Sequence, residues 1–339
     1  MKILLRTLAI ILGLAVLVTA GGYLALRRGD IPYAELQKTY ANEASQFMDM
    51  GDGVIVHYRD QGVGAARTLV LIHGYAASLH TWEPWVQALG AEYRLVTLDL
   101  PGHGLTQAPK NYAQTLTGST YSDLVAAFMS KLDIKKAVII GSSMGGGVTW
   151  NLALDHPELV EGVALVGASG WPQAANQVDE RPAIFKLLRT PVIGPMLRDL
   201  DTTALTRQGL QSSFVNKDLV TDAMVARYVQ MSRAPGHRDI LLGLQDVADR
   251  REATPELMAK ITAPALILHG EQDNLVPVSG GRKFDEFIPM SEGIFYDQIG
   301  HIPQEEIAER SANDLRGWLQ RSFPAVEPAG APLGVAIGP

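Results

Sequence analysis

The sequence predicts an α/β fold, a mostly parallel sheet with helices on both faces. Three observations predict it. Short runs rich in Val, Ile and Leu end in Gly or small residues, as strands buried on both faces do. Amphipathic segments of helical period lie between those runs. One interval, 171–257, is far too long for an ordinary strand connection and reads as several helices.

The chain has 339 residues, 47% of them hydrophobic, enough for one large domain or two smaller ones. Net charge is −7 and no basic run occurs, which argues against a nucleic-acid partner. Cysteine is absent, which excludes disulfides, thiolate metal sites and a Cys nucleophile.

The elements follow in order. Residues 1–28 hold 20 uncharged residues, Thr7 to Leu26, flanked by Lys2, Arg6, Arg27 and Arg28. That length can cross a bilayer as a helix. Val18-Thr19-Ala20 would suit a signal peptidase, but the run continues past it to Leu26 and favours a retained anchor. The expectation is a membrane partner and a cell-envelope location, with the globular part exported. A secreted or periplasmic product after cleavage is the alternative.

The first part of the core spans 40–170. "GVIVHYRDQG" (53–62) alternates and suits an outer antiparallel strand. "TLVLIHG" (68–74), "YRLVTLDLPG" (93–102), "KAVIIGS" (136–142) and "VEGVALVGAS" (160–169) read as buried parallel strands. Helical patterns cover 82–89, 121–132 and 144–155. The interval 171–257 includes "DLVTDAMVARYVQMS" (218–232), with Leu219, Val220, Met224, Val225, Tyr228 and Val229 on one side. It is expected to form a helical cap or lid over one end of the sheet. The core resumes over 258–323 with the strand "APALILHGEQD" (263–273) and a helix over 303–320. The tail 324–339, rich in Pro, Gly and Ala, reads as disordered.

The chemistry starts at "IIGSSMGGG" (139–147). Gly141-Ser142-Ser143-Met144-Gly145 is a G-x-S-x-G pattern, placed between a strand-like run and a helix-like one. A tight strand-to-helix turn there would expose Ser143 at the carboxyl end of the sheet. The Met144 amide, at a helix start, would face a developing oxyanion. Ser142 is then simply the intervening residue.

A serine hydroxyl needs a base. Of eight histidines, His57 lies on the alternating strand and His156 precedes a Pro at a helix end. His80, His237 and His269 have no supporting pattern and read as surface or structural. His73 and His103 sit in Gly-flanked turns, where an imidazole often ties a loop together. His301 follows "FYDQIG" and precedes a helix late in the chain, where a loop can reach Ser143. The order Ser, Asp, His favours it. "GEQDNLVP" offers Glu271 and Asp273. Asp273 is preferred, because the turn after it can aim the carboxylate at His301; Glu271 is then a solvated loop residue. The loop after "LVLIHG" offers a second oxyanion donor, the Tyr75 amide. The Tyr75 ring either walls the pocket or packs under the helical interval. Trp171 and Ile302 are expected in the substrate pocket or in the core. Arg233 and Arg238 read as solvated helix-end residues, with binding of an acidic substrate group as the alternative.

"HGYAASLHTW", "LDLPGHGLT", "GSSMGG", "GEQDNLVP" and "GHIPQEE" together resemble the α/β-hydrolase superfamily, in order and spacing. The resemblance covers about 45–322. It is nearest to bacterial esterases and lipases with an SMGG elbow, and to the meta-cleavage C–C hydrolases beside them. It implies an eight-stranded sheet, a lid at 171–257 and a Ser143–Asp273–His301 triad with the Tyr75 and Met144 amides. Haloalkane dehalogenases and epoxide hydrolases of this fold carry Asp at the elbow, so Ser143 argues against both. "HGYAAS" lacks the Gly-Pro-rich turn of the C–C hydrolases. The expected activity is hydrolysis of a small-molecule carboxylic ester with a hydrophobic acyl group, through an acyl-enzyme, with no metal or cofactor. The alternatives are C–C bond hydrolysis and, in another class, a binding protein on a dead hydrolase fold.

Overall fold

The computed structural model describes residues 2–62, 67–117, 120–172, 190, 193–244 and 251–324. In chain order the elements are α1 (Lys2–Leu26), α2 (Tyr33–Tyr40), β1 (Ser45–Gly51), β2 (Val54–Gly62), β3 (Thr68–Ile72), α3 (Glu83–Leu89), β4 (Arg94–Leu98), α4 (Thr120–Lys131), β5 (Ala137–Ser142), α5 (Met144–Asp155) and β6 (Val160–Val166). Then come α6 (Ile193–Arg198), α7 (Thr203–Ser213), α8 (Asp222–Ser232), α9 (His237–Leu244), α10 (Pro255–Met258), β7 (Ala265–Gly270), α11 (Val278–Phe287), β8 (Ser291–Tyr296), α12 (Pro303–Glu306) and α13 (Ala308–Ser322).

The eight strands form one sheet in the order β1-β2-β4-β3-β5-β6-β7-β8. Its β1–β2 and β2–β4 pairs are antiparallel and the rest are parallel. The fold class is therefore α/β, with helices on both faces. Side chains alternate between faces along a strand. Val70 and Ile72 of β3 pack with α4, α5 and α11, among Phe128, Trp150 and Phe284. Leu69 and Leu71 pack on the other face with α3 and α13, among Trp82, Trp85, Leu315 and Trp318. Both faces are dry, which is why these strands read as continuous apolar runs.

Two elements depart from the sequence pattern. β1 is a largely exposed edge strand in which Phe47, Met48 and Met50 are interspersed with polar residues, so it carries no unbroken apolar run. The helix expected over 303–320 is two helices, interrupted at Ile307, whose φ of −131° is not helical. Of the interval 171–257, residues 173–189, 191–192 and 245–250 lie outside the described residues, as does the tail beyond Pro324.

The membrane anchor expected over 1–28 is corrected by the N-terminal helix. Among the described residues no helix is long and apolar enough to cross a membrane. Between Thr7 and Leu26 its apolar side chains are interrupted by Gly13, Thr19, Gly21, Gly22 and Tyr23. A crossing takes about 20 apolar residues. The cell-envelope location and the membrane partner rested on that anchor and fall with it. The chain after α1 is instead fastened to the helical interval. Arg27 bridges to Leu200, and Arg28 pairs with Asp201 at 3.1 Å.

Candidate active site

β5 lies near the middle of the sheet, and Ser143 follows its carboxyl end. Ser143 has φ 54° and ψ −115°, a conformation that costs a non-glycine residue about 1–3 kcal/mol. The surroundings over-determine it. Its N–H donates to the Val166 carbonyl at 2.9 Å. Its carbonyl accepts from the Gly147 and Ser169 amides at 3.1 and 3.0 Å, and from the Ser169 hydroxyl at 3.2 Å. At Gly141 a Cβ would sit 2.1 Å from the Gly145 carbonyl oxygen, so only glycine lets α5 start this close to β5. At Gly74 a Cβ would lie 3.1 Å from Cβ of Ser143 and 3.8 Å from its Oγ. The loop after β3 thus presses directly on the serine.

Tyr75 follows in that loop, and Met144 opens α5. The Tyr75 hydroxyl donates to the Leu241 carbonyl of α9 at 2.9 Å, so the ring spans from the β3 loop to the helical interval. His73 fixes the loop. Its Nε2 accepts from the Leu100 amide at 3.0 Å, which leaves Nδ1 to donate to the Gly74 carbonyl at 2.7 Å. Burial pushes the His73 imidazole below its usual value, against the opposing pull of Asp99.

Asp273 follows β7 and His301 follows β8. The structure brings them together: His301 Nδ1 lies 2.7 Å from Asp273 Oδ2. Oδ1 of Asp273 accepts from the Leu275 and Val276 amides at 2.8 and 2.9 Å. Burial alone would raise this carboxyl. The His269 Nε2–H lying beside Oδ2, the His301 hydrogen bond and charge, and the Val276 amide outweigh it, holding the group well below the usual carboxylate range. Glu271 points elsewhere and pairs with Arg282.

The His301 loop is held from two sides. The His301 amide donates to the Ser213 carbonyl at the end of α7, at 2.7 Å. Glu306 accepts from the Gly300 amide at 2.7 Å with one oxygen. With the other it accepts from the Val215 and Asn216 amides, each at 2.8 Å. One carboxylate therefore clasps the segment after α7 to the loop that carries His301.

Ser142 is more than a spacer. It is buried, and Gln304 Nε2 reaches both its Oγ at 3.1 Å and the Thr81 hydroxyl at 3.2 Å. Asp99, also unremarked in the sequence, accepts from His57 Nδ1 at 2.7 Å and from the Leu79 and Leu105 amides at 2.7 and 2.9 Å. It braces the turn beneath the β3 loop. Apart from Leu105, six residues on from Asp99, these partners lie 20 to 223 residues apart, and no local pattern announces them.

Ile302 sits in an apolar cluster with Leu210, Phe214, Val220, Val225 and Val229 of the helical interval. Trp171 packs at a tilt against Phe284 and Phe287, with ring centroids 5.6 and 5.7 Å apart. It also lines a cavity of about 300 Å³ with Ser169, Pro277 and Lys283. Arg238 donates to the Arg28 and Arg198 carbonyls at 2.9 Å each and pairs with Asp30 and Asp199. Arg233 donates to the Gly29 carbonyl at 2.9 Å. Both arginines thus tie the helical interval to the segment after α1.

Residues 67–307 match the family model described as the alpha/beta hydrolase fold. The chain is 28% identical over 275 residues to an uncharacterized hydrolase of Bacillus subtilis, covering 79% of this chain and 96% of that one. It is 27% identical over 268 residues to a pimeloyl-[acyl-carrier protein] methyl ester esterase of Aliivibrio salmonicida, covering 78% and 96%. Among solved structures, a meta-cleavage product hydrolase of Pseudomonas fluorescens IP01 superposes with a TM-score of 0.69 at 25% identity, covering 81% of this chain and 97% of that one.

Proposed function

The chain belongs to the α/β-hydrolase superfamily, and from that premise we propose that it is a serine hydrolase of carboxylic esters. One observation carries the reading: a His301–Asp273 hydrogen bond of 2.7 Å in the same strand-end site as a serine held at φ 54°. With Nδ1 engaged by Asp273, Nε2 of His301 is the nitrogen left to take a proton. Ser143 Oγ attacks the ester carbonyl carbon and His301 takes the hydroxyl proton. The tetrahedral oxyanion is met by the Tyr75 and Met144 amides. The C–O bond to the alcohol then breaks, and His301 returns the proton to the leaving oxygen. Water, deprotonated by His301, attacks the acyl-enzyme, and Ser143 leaves with the proton as the acid departs.

Residues 40–170 and 258–323 would form the core, and 171–257 a helical lid. In this reading Tyr75, Trp171 and Ile302 are the pocket residues for a hydrophobic acyl group, and Trp171 lines the cavity shared with Ser169, Pro277 and Lys283. The likeness to a methyl ester esterase supports the ester class. The likeness to a meta-cleavage product hydrolase supports a second reading, C–C bond hydrolysis by the same residues.

The test is hydrolysis of p-nitrophenyl esters from acetate to palmitate by wild type and Ser143→Ala. Ester activity lost in the variant supports the reading, and the chain-length optimum sizes the pocket. Turnover of an aromatic ring-fission product, with esters untouched, would move the assignment to the second reading. No labelling of wild type by a fluorophosphonate would leave a binding protein.

A further inference from the structure

His269, at the end of β7, is fully buried behind Asp273. Its Nε2 lies 3.0 Å from the Val276 carbonyl oxygen and 3.1 Å from Oδ2 of Asp273. A carbonyl only accepts, so Nε2 carries the hydrogen. That hydrogen is directed at the carbonyl, and the positive end of the N–H bond rests beside the carboxylate. Val276 returns the contact by donating its own amide to Oδ1 of Asp273 at 2.9 Å. His269, Val276 and Asp273 thus close a ring around the turn that presents the carboxylate to His301.

The opposite nitrogen speaks against a packing role alone. His269 Nδ1 is buried without a hydrogen-bond partner. It faces Gly281 of α11, where a Cβ would stand 2.5 Å away. A buried polar atom left unsatisfied costs about 1–3 kcal/mol, and an apolar side chain would avoid it. What the imidazole adds over an apolar side chain is its Nε2–H.

We propose that His269 is a positioning residue for the Asp273–His301 pair, its Nε2–H fixing the 273–276 turn and sharing the charge on Oδ2. The inference rests on the ester-hydrolase reading above. Two imidazoles meet one oxygen, His269 from the β7 side and His301 from the loop after β8. Of the charged groups on the neighbouring helices, Arg282 of α11 pairs with Glu271, Lys283 of α11 lies over the Trp171 ring, and Glu306 of α12 binds the Gly300 amide. A donor beside Oδ2 stabilises the carboxylate without His301. Without that donor the carboxylate leans more on His301, the imidazolium gains stability, and the base titrates at higher pH.

The experiment is the pH profile of kcat/KM for p-nitrophenyl butyrate, with active sites counted by fluorophosphonate, in wild type, Ser143→Ala, His269→Leu and His269→Gln. A glutamine amide can place an N–H where Nε2 stands. The acidic limb of His269→Leu is expected to move to higher pH by about half a unit, with kcat down about tenfold and KM nearly unchanged. His269→Gln is expected to restore the wild-type limb. An unmoved limb in both variants, with equal loss of kcat, would make His269 a packing residue and overturn the proposal. Where His269→Leu does not fold, His269→Asn, too short to reach Oδ2, takes its place. Ester activity that survives Ser143→Ala, or is absent in wild type, would sink the ester reading instead. The downfield proton resonance of His301 Nδ1 then decides about His269: a shift between wild type and His269→Leu supports the proposal, and an unchanged resonance overturns it.

Discussion

Gln304 donates its side-chain amide to the hydroxyl of Ser142 across 3.1 Å, joining the strand end before Ser143 to the helix after His301. The two segments that must meet at the reacting carbonyl are thereby tied through their neighbours. Ser142→Ala removes that tie and leaves Gln304 only the Thr81 hydroxyl. We expect a stability loss of about 1 kcal/mol and a fall in kcat of about tenfold or less, with KM little changed. Ser143→Ala should abolish turnover. Steady-state kinetics on one p-nitrophenyl ester separates the two, and equal losses at both serines would contradict these roles.

Asp273→Asn keeps the shape of the loop but offers His301 an amide where it had a carboxylate. The imidazolium loses its counter-charge and the tautomer is no longer fixed. We expect kcat to fall about 10⁴-fold with the fold intact, by the arithmetic of such triads. A loss below tenfold would show that Asp273 is not the partner that matters.

Gly141→Ala would drive a Cβ into the Gly145 carbonyl, at 2.1 Å. Because that contact is with backbone, no rotamer change relieves it. The first turn of α5 must shift, and the serine with it. The expected cost is about 3 kcal/mol, read from urea unfolding, together with a loss of activity larger than that at Ser142.

Asp99 governs an acid transition. Burial alone would raise its carboxyl. The hydrogen bond and charge of His57 outweigh burial and hold it far below the usual range. A carboxyl lowered on folding adds stability above its unfolded pKa, about 3.9, and that stability is lost as pH falls toward the folded value. The difference in urea midpoint between wild type and Asp99→Asn should hold from pH 7 to 5 and shrink below pH about 4. Asp99→Asn should start lower and show a shallower acid loss. Asp99→Ala, which strands His57 and two amides, should cost about 3–5 kcal/mol at neutral pH.

Glu306→Gln tests the clasp between the segment after α7 and the histidine loop. All three partners are N–H donors, and an amide can accept on one side only. The NH₂ must then face an N–H. We expect KM to rise and kcat to fall, each several-fold, and proteolysis within 200–220 to quicken. An isosteric substitution without effect would reduce Glu306 to a surface residue.

How much of this could be read in advance follows from what each feature needs. β3, β5, β6 and β7 were legible because both of their faces are buried, which writes an unbroken apolar run into a few adjacent letters. β1 and α11 were not. One is an exposed edge, and the other, "VSGGRKFDEF", carries two glycines where a helix pattern would hold helix formers. Ser143, Asp273 and His301 stood out because each occupies a turn after a strand-like run. The contacts of Ser142, Asp99, His269 and Glu306 join residues brought near only by the folded sheet. For His269 the local letters even misled: a lone histidine ending a strand gives no sign that it stands 3.1 Å from Asp273. The N-terminal run misled in the opposite sense, since its hydropathy was read as a bilayer span that the described helix does not provide.

Helix α13 closes one face of the sheet, with Leu315 and Trp318 laid against Trp85 and Leu71, and with Ser311 accepting from the Trp85 indole at 3.0 Å. A ribosome makes that helix more than two hundred residues after β3, whose Leu71 it covers. Until then the nascent chain carries an open apolar sheet, a surface that chaperones bind and that other nascent chains can stick to. Synthesis halted before Ala308 would yield a product without that wall, destined for proteolysis rather than a shortened enzyme. Closure of that face of the core therefore waits on the synthesis of α13.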